Sequence, residues 1–315
     1  MTFPAWVAPA KGEPATLTDM TEEDLGGEIP IEVTHSSVNY KDAMALAGRP
    51  GVIRSFPLIP GIDLVGRTLD GAAIIVTGAG HGETRHGGYA ARARVDENDL
   101  VEVPARFNPA QAAAIGTAGF TAALAVAELV DAGVTTEGPL FVTGASGGTG
   151  SIAIALLAAA GFEAVAVTGR VSDQGDYLRS IGASHVIDRE SLVTDRALER
   201  TEYAGGIDTV GGAVLAGALP RVADGGKVAA VGMAGGGHLT TTVYPFILRG
   251  VSLLGINSVT VDRASRLAAW QRLTDHLRPE LLDSITETVS LTELPTVAGQ
   301  MLAGRGHGRT VVTVR

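Results

Sequence analysis

The sequence predicts an α/β protein in which a β-rich domain is joined to a doubly wound parallel-sheet domain. Short strand-like segments separated by Gly and Pro turns fill residues 1–107. Beyond residue 110, strand-like and helical segments alternate, as crossovers between parallel strands require. With 315 residues, 45% hydrophobic content and 42 glycines, the chain is long enough for two domains rich in turns.

The N-terminal region predicts a β-rich domain of barrel type. Strands are expected at 29–35, 64–67, 72–76, 88–94 and 100–103. Several of them alternate apolar and polar residues with the period of two that a half-buried strand shows.

The remainder predicts the parallel sheet and its helices. A long helix is expected from Asn108, because a capping residue is followed by Pro109 at the first helical position and Gln111 at the third. Further strands are expected at 139–143, 163–168, 186–188, 206–211, 226–232, 251–256 and 309–314, and further helices at 151–160, 177–181 and 264–277.

A glycine turn between the first two of these strands predicts a dinucleotide site. Gly144, Gly147 and Gly150 recur every third residue, which departs from the usual G-x-G-x-x-G, and glycine clusters also occur in any tight β–α turn. The flanking strands and the apolar helix favour phosphate binding, since glycine admits a close backbone approach and a helix N-terminus offers unpaired N–H groups. The contacts expected from this turn are Ser146, Gly147, Gly148, Thr149 and Gly150.

The end of the second strand predicts NADP(H) rather than NAD(H). NAD enzymes usually place Asp or Glu here for the ribose 2′-hydroxyl, whereas an Arg accommodates the 2′-phosphate of NADP. The sequence reads Thr168-Gly169-Arg170, and no acid follows before Asp173. Arg170 can form a charge-assisted pair with a phosphate. The alternative interpretation is that Arg170 is a solvated loop cation.

Composition argues against several other classes of protein. The formal charge of −10, without a Lys/Arg cluster, disfavours nucleic-acid binding. No uninterrupted apolar stretch reaches about 18 residues, so a membrane span is not expected. The N-terminus lacks a basic segment followed by an apolar one, so we expect a cytoplasmic protein without a secretory signal.

The absence of cysteine excludes disulfides, catalytic thiols and Cys-based zinc sites. His81, Glu83 and His86 are close in sequence, but they lie in a Gly-rich loop where solvated or hydrogen-bonded side chains are more common than ligands. We therefore expect metal-free chemistry.

Local motifs resemble the medium-chain dehydrogenase/reductase superfamily, and within its zinc-free quinone-oxidoreductase branch the acryloyl-CoA reductase group (YhdH/AcuI type). The motifs that carry the resemblance, in family order, are Asn39-Tyr40-Lys41-Asp42, Pro60-Gly61-Ile62-Asp63, Gly87-Gly88-Tyr89-Ala90, 116–122, 143–150, 207–211, 245–250 and Gly308-Arg309-Thr310. The resemblance implies a GroES-like β-rich domain formed by 1–113 and 260–315, and a Rossmann NADP-binding domain formed by 114–259.

The resemblance also implies an activity. The expected reaction is NADPH-dependent reduction of the carbon–carbon double bond of a short 2-enoyl-CoA, from acryloyl-CoA to propanoyl-CoA. An NADPH:quinone oxidoreductase shares the fold, the cofactor and the lack of metal, and stays open as an alternative. A catalytically silent NADPH- or RNA-binding protein is the third possibility, disfavoured by the acidic charge. Relatives commonly pair through a sheet edge, so we expect a homodimer through 251–256.

Individual site residues follow from the same resemblance. The candidate catalytic residues are Tyr40, Asn39 and Asp42, with Tyr40 placed against the nicotinamide; alternatively, Asn39 is a helix cap and Asp42 pairs locally with Lys41. The further cofactor contacts that the resemblance implies are Thr117, Thr121, Arg189, Met233, Ile247 and Ser258. Arg49, Arg54 and Arg263 could meet the CoA phosphates, but their spacing singles out none of them.

Overall fold

The structure, a computed structural model, describes residues 2–314, which form fifteen strands and nine α-helices. The strands are β1 (Thr2–Val7), β2 (Thr16–Thr21), β3 (Ile29–Val38), β4 (Asp63–Arg67), β5 (Ala73–Thr77), β6 (Arg92–Val95), β7 (Val101–Glu102), β8 (Leu140–Thr143), β9 (Ala164–Thr168), β10 (Ala183–Asp188), β11 (Tyr203–Asp208), β12 (Val222–Ala230), β13 (Ser252–Gly255), β14 (Thr286–Ser290) and β15 (Arg309–Thr313). The helices are α1 (Tyr40–Leu46), α2 (Pro109–Asp131), α3 (Gly148–Ala159), α4 (Val171–Ser180), α5 (Gly212–Ala218), α6 (Tyr244–Arg249), α7 (Arg263–His276), α8 (Pro279–Ile285) and α9 (Leu294–Leu302).

The chain divides into two compact units. The first comprises the residues up to 120, 258–274 and those from 278 onward, and the second comprises 121–257 and 275–277. The domain boundaries implied by the resemblance, after residues 113 and 259, stay a prediction.

The second unit is built on a six-stranded parallel sheet in the order β10-β9-β8-β11-β12-β13. Numbered from β8, this is the doubly wound order 3-2-1-4-5-6, in which the winding reverses between β8 and β11. Every residue of β8 and β9 is buried, as expected for central strands covered on both faces. The predicted Rossmann-type sheet is confirmed, and its switch point lies beside the glycine turn.

The first unit contains a seven-stranded sheet that is antiparallel except for the β14–β15 pair. Ile31, Val33, Leu64 and Val76 form part of its core. The strand predicted at 88–94 begins only at Arg92, because the N–H groups of Gly88 and Tyr89 donate to the carbonyl oxygens of residues 61 and 60 instead of joining a ladder. The chain also passes close to β4 here. A Cβ placed on Gly88 would lie 2.1 Å from the Asp63 carbonyl oxygen.

Helix α2 is long and apolar enough by composition to cross a membrane, a test that a buried core helix also passes. Most of it is buried inside the protein, which is typical of a core helix. Its backbone is broken at Gly116, where φ is 45° and ψ is −156°. That break places Gly116 and Thr117 against β4, as described below.

Candidate functional site

The glycine turn of the second unit brings the start of α3 close to the end of β8. Gly144 adopts a φ of 60°, and the turn closes through a 2.9 Å hydrogen bond from the Gly147 N–H to the Gly144 carbonyl oxygen. A Cβ on Gly150 would lie 2.4 Å from that same oxygen, so only glycine allows this approach. Gly147 precedes α3 without a side chain to cap it, which leaves the first N–H groups of α3 available to a phosphate.

The end of β9 is surrounded by hydroxyl and guanidinium groups. Arg170 donates from Nη2 to Ser146 Oγ over 2.9 Å, and its backbone N–H donates to Thr168 Oγ1 over 3.2 Å. Arg189 lies against Gly169, since a Cβ there would be 2.8 Å from Arg189 Nε. Gly169 is thus flanked by two guanidiniums at the position where NAD-binding proteins place a carboxylate. The arrangement suits a phosphate dianion on an adenosine ribose.

A buried carboxylate joins the ends of β8 and β11 at the switch point. Asp208 accepts hydrogen bonds from Thr143 Oγ1 at 2.6 Å and from the Gly211 N–H at 2.7 Å. Thr143 Oγ1 in turn accepts from the Thr209 N–H at 3.0 Å. Burial raises the pKa of Asp208, while these donors act in the opposite direction. The sequence contains this residue in the 207–211 motif, but its role as a brace was not predicted.

The other residues expected at the cofactor fall into two groups. In the second unit, Met233 and Ile247 are 70% and 67% exposed, which is unusual for large apolar side chains, while Thr121 is buried. Thr117 and Ser258 belong to the first unit. Their contacts with a cofactor stay predictions.

In the first unit, Asp63 at the start of β4 is the centre of a buried polar network. One carboxylate oxygen accepts from Ser37 Oγ at 2.6 Å and from Asn39 Nδ2 at 2.8 Å. The other accepts from the Thr117 N–H at 2.8 Å and from Thr117 Oγ1 at 2.6 Å. The helix break requires glycine at position 116, because a Cβ there would lie 2.5 Å from the Asp63 carboxylate. The following residue can then reach that carboxylate. Thr117 therefore has a structural partner in addition to its predicted cofactor contact.

Asp42 is a second buried carboxylate of the network, only 1% exposed. It accepts hydrogen bonds from the Ile62 N–H at 2.9 Å, from the Asn39 N–H at 2.9 Å and from Asn39 Nδ2 at 3.0 Å. Burial, together with the charge of Asp63, raises the pKa of Asp42 to about 7. Because its oxygens are enclosed by these donors, we expect Asp42 to position Asn39 rather than to meet the substrate.

The pairing of Lys41 corrects one expectation made from the sequence. Lys41 does not form the local ion pair with Asp42; its Nζ lies 2.8 Å from Glu83 Oε1. The side chains at 41 and 42 leave α1 in different directions, since Asp42 is buried and Lys41 is exposed.

Arg309 supplies the positive charge of the network and was not singled out from the sequence. It is 3% exposed and donates to the Ala114 carbonyl oxygen at 2.5 Å, to Asn39 Oδ1 at 3.2 Å and to Ser37 Oγ at 2.8 Å. A buried guanidinium requires nearby negative charge, which Asp63 and Asp42 provide. The only sequence signal was its place in the closing 308–310 motif.

Tyr40 begins α1 directly beside this network. Asn39 and Asp42 form a capping box that fixes the first turn of α1. Tyr40 itself is 38% exposed, unlike Asp42, which is buried. The network therefore holds the backbone of Tyr40 while its ring stays accessible.

The loop histidines have other partners than a metal. His81 Nδ1 lies 2.8 Å from the His86 carbonyl oxygen, and His86 Nδ1 accepts from the Ile59 N–H at 3.1 Å. Glu83 is bonded to Lys41 and Arg54. Across residues 2–314, no group of three or more His, Asp or Glu side chains is placed to hold a metal ion. These residues do not fit a zinc site.

Comparisons with known proteins agree with this geometry. Residues 148–275 match the family described as zinc-binding dehydrogenase. The chain is 44% identical to acrylyl-CoA reductase AcuI of Ruegeria pomeroyi over 310 residues, covering 95% of this chain and 92% of that protein. It is 41% identical to YhfP of Bacillus subtilis, a putative quinone oxidoreductase, over 93% and 92% of the two chains.

Solved structures give the same assignment. YhdH of Escherichia coli with bound NADPH superposes with a TM-score of 0.95 at 44% identity, over 99% of this chain and 100% of that one. YhfP of Bacillus subtilis with bound NAD superposes with a TM-score of 0.93 at 39% identity, over the whole of both chains. The chain therefore belongs to the AcuI and YhdH family of oxidoreductases, within the medium-chain dehydrogenase/reductase superfamily.

Proposed function

We propose that this chain is an NADPH-dependent reductase that converts acryloyl-CoA to propanoyl-CoA. The observation that carries the proposal is the pair of guanidiniums, Arg170 and Arg189, beside Gly169 at the end of β9. These guanidiniums would form ion pairs with the 2′-phosphate of NADPH, whereas a carboxylate at that point would repel the phosphate. The identity to a named acrylyl-CoA reductase along nearly the whole chain supports the substrate.

In the proposed reaction, NADPH supplies a hydride to the β-carbon of the enoyl thioester. Negative charge then develops on the thioester oxygen, and a proton is added at the α-carbon. Such a step needs hydrogen-bond donors for the oxygen rather than a Lewis acid. We propose that Tyr40 lies against the nicotinamide and that its hydroxyl serves the substrate, with Asn39 and Asp42 holding it in place.

The remaining cofactor contacts are proposals of the same kind. The backbone of 146–150 would hold the pyrophosphate, and Thr168, Gly169 and Arg170 the adenosine ribose. In the second unit, Thr121, Met233 and Ile247 would each contact the cofactor, and in the first unit the same is proposed for Thr117 and Ser258.

Isotope labelling tests the reaction. NADPH deuterated at the transferable position is incubated with acryloyl-CoA and the purified protein, and the product is analysed by mass spectrometry. We expect propanoyl-CoA with deuterium at C3. Deuterium at C2, or no labelled product, would contradict the proposed hydride transfer.

The runner-up is reduction of a quinone, which the identity to Bacillus subtilis YhfP favours. A quinone also accepts a hydride without a metal, so the site chemistry alone does not separate the two. Comparing the turnover of acryloyl-CoA and of a quinone by the purified protein does separate them.

We further propose a metal-free, cytoplasmic homodimer that acts without a nucleic-acid or membrane partner. The lack of cysteine supports the first point, because the usual Cys ligands of zinc in such dehydrogenases are missing. Full activity after chelation, with no zinc detected by elemental analysis, is the expected result.

The dimer would form through β13, which ends the parallel sheet and pairs only with β12 among the described strands. Leu253 on this strand and Tyr244 and Leu248 on the neighbouring helix α6 are exposed. An unpaired edge flanked by apolar side chains is suited to pairing with a second copy. Light scattering should give twice the monomer mass, whereas a monomeric mass would contradict the proposal.

A further inference from the structure

A pocket of about 620 Å³ lies within the first unit, apart from the network around Asp63. Its walls are the loop after β5, the segment before β7 and the chain that leads into α7. The volume is in the range of small-molecule sites. No residue of its lining belongs to the cofactor contacts proposed above.

The carboxylates in the pocket wall already have partners. Glu83 is bonded to Lys41 at 2.8 Å and to Arg54 at 3.2 Å. Asp99 is bonded to Arg85 at 2.5 Å. The negative charges of both carboxylates are therefore paired with cationic side chains.

Asp262 is similarly committed, since it accepts from the Ser265 N–H at 3.0 Å and from Ser265 Oγ at 2.7 Å at the start of α7. Its charge is thereby used to cap that helix.

Two arginines of the same wall, by contrast, donate only to uncharged oxygens. Arg263 Nη1 donates to the carbonyl oxygens of Glu97 and Leu100, both at 3.1 Å. Arg266, one helical turn later, is 2% exposed and donates from Nη1 to the Thr77 carbonyl oxygen at 2.8 Å and to Thr77 Oγ1 at 2.9 Å. Within residues 2–314, neither guanidinium has a carboxylate oxygen within 4.0 Å.

This distribution of charge favours an anion in the pocket. Arg266 lies 5.0 Å over the Phe120 ring and feels the charge of Asp99, which offset part of the cost of burying its guanidinium. A bound anion would offset more of that cost.

Arg54 is a third guanidinium of the lining; it is 68% exposed at its side chain and lies 3.2 Å from Glu83, a carboxylate that it shares with Lys41. The half-buried Val259 and Val261 give the pocket an apolar wall as well. Guanidiniums next to an apolar wall are suited to a phosphorylated nucleotide.

We propose that this pocket binds the phosphate-bearing adenosine end of the CoA thioester, with Arg263 and Arg54 contacting its phosphates and Arg266 supplying fixed positive charge. The assignment rests on the proposed function and deepens it. Glu83 connects the pocket wall to α1 through Lys41, the residue next to Tyr40. A substrate anchored here would therefore lie beside α1, whose first residue, Tyr40, is proposed to contact the part of the substrate that reacts.

The direct test is calorimetric titration of the full-length protein with adenosine 3′,5′-bisphosphate. Saturating NADP⁺ is present, so that the arginines at the end of β9 are not available to the probe. The wild type should bind, Arg263→Ala and Arg54→Ala should each weaken binding by about tenfold, and Arg263→Lys should recover part of the loss. The control Arg305→Ala, an exposed arginine outside the lining, should bind as the wild type does.

A kinetic measurement separates this site from the function itself. Arg263→Ala should raise the KM for acryloyl-CoA by about tenfold and leave that for the S-acryloyl thioester of N-acetylcysteamine unchanged. If acryloyl-CoA is reduced but the variant affects both thioesters equally, the pocket assignment is overturned and the function stands. Absence of bisphosphate binding, or equal binding by wild type and Arg263→Ala, overturns the pocket assignment whatever the substrate is. Failure of the wild type to reduce acryloyl-CoA overturns the function.

Discussion

At the scale of the residue, Arg170 is the side chain proposed to distinguish NADPH from NADH. Its guanidinium donates to Ser146 Oγ over 2.9 Å, at the end of β9. Arg170→Glu should weaken NADPH binding by at least about tenfold and change NADH binding little, because only NADPH brings a phosphate to the new negative charge. Fluorescence titration with both cofactors measures this, with Arg179→Glu on the exposed side of α4 as the control. An equal loss for both cofactors would show that the 2′-phosphate lies elsewhere.

Asp42 gives a prediction about stability and pH. Burial beside Asp63 raises its pKa from 3.8 to about 7, so between these values the folded protein binds more protons than the unfolded chain. The contribution of Asp42 to the free energy of unfolding therefore falls as the pH rises through this window, by up to about 1.4 kcal/mol per pH unit. Asp42→Asn cannot ionise and should lack that slope.

Urea unfolding of both proteins at about pH 5 and about pH 7 makes the comparison. The wild type should lose stability relative to Asp42→Asn between the two pH values. A constant difference between them would mean that Asp42 does not titrate in this range.

The residues found from the sequence are those whose signal is local. The turn at 146–150 and the Thr168-Gly169-Arg170 segment each lie within a few residues of a strand end, and the structure places both at the carboxyl edge of the parallel sheet. The roles of Asp63 and Arg309 depend instead on contacts between residues that are up to 272 positions apart. No pattern in the sequence relates such partners, so the network could not be predicted.

At the scale of the element, the glycine turn makes a prediction about α3. Gly150→Ala would place a methyl group 2.4 Å from the Gly144 carbonyl oxygen, where backbone rather than a flexible side chain must move. We expect a loss of about 1–3 kcal/mol in the free energy of unfolding, together with weaker NADPH binding. Chemical denaturation and cofactor titration provide the two measurements.

Gly299→Ala in α9 is the matched control. It is also a glycine within a helix, but a Cβ there meets nothing within 4 Å. Alanine should stabilise this helix by about 0.5–1 kcal/mol and leave cofactor binding unchanged. Equal effects of the two substitutions would contradict the close approach at the turn.

The elements themselves were predicted where apolar periodicity or turn residues mark them. The parallel strands and α7 lie within a few residues of their expected positions. The helix expected at 177–181 begins earlier, at Val171. The sequence did not reveal its first turn, because that turn is polar and lacks an apolar repeat. The β1–β2 pair was missed, since β2 (Thr16–Thr21) has no buried residue and so lacks the alternation that reveals a half-buried strand.

At the scale of the whole molecule, the sheet order explains where a ligand can bind in the second unit. The winding reverses between β8 and β11, and Asp208 with Thr143 braces that point. The glycine turn and the two arginines lie on β8 and β9 and the segments that follow them. The fold thus places the two short motifs at one edge of the parallel sheet. Each motif is recognisable within a few residues of the sequence, so a dinucleotide cofactor could be predicted from the sequence alone.

The substrate is the central claim, and NADPH oxidation by the purified protein tests it most directly. Acryloyl-CoA and 1,4-benzoquinone are compared at matched concentrations, and each assay is repeated with NADH. We predict rapid turnover of acryloyl-CoA with NADPH, little with NADH, and slow or no turnover of the quinone. Rapid turnover of the quinone together with inactivity toward acryloyl-CoA would contradict the account.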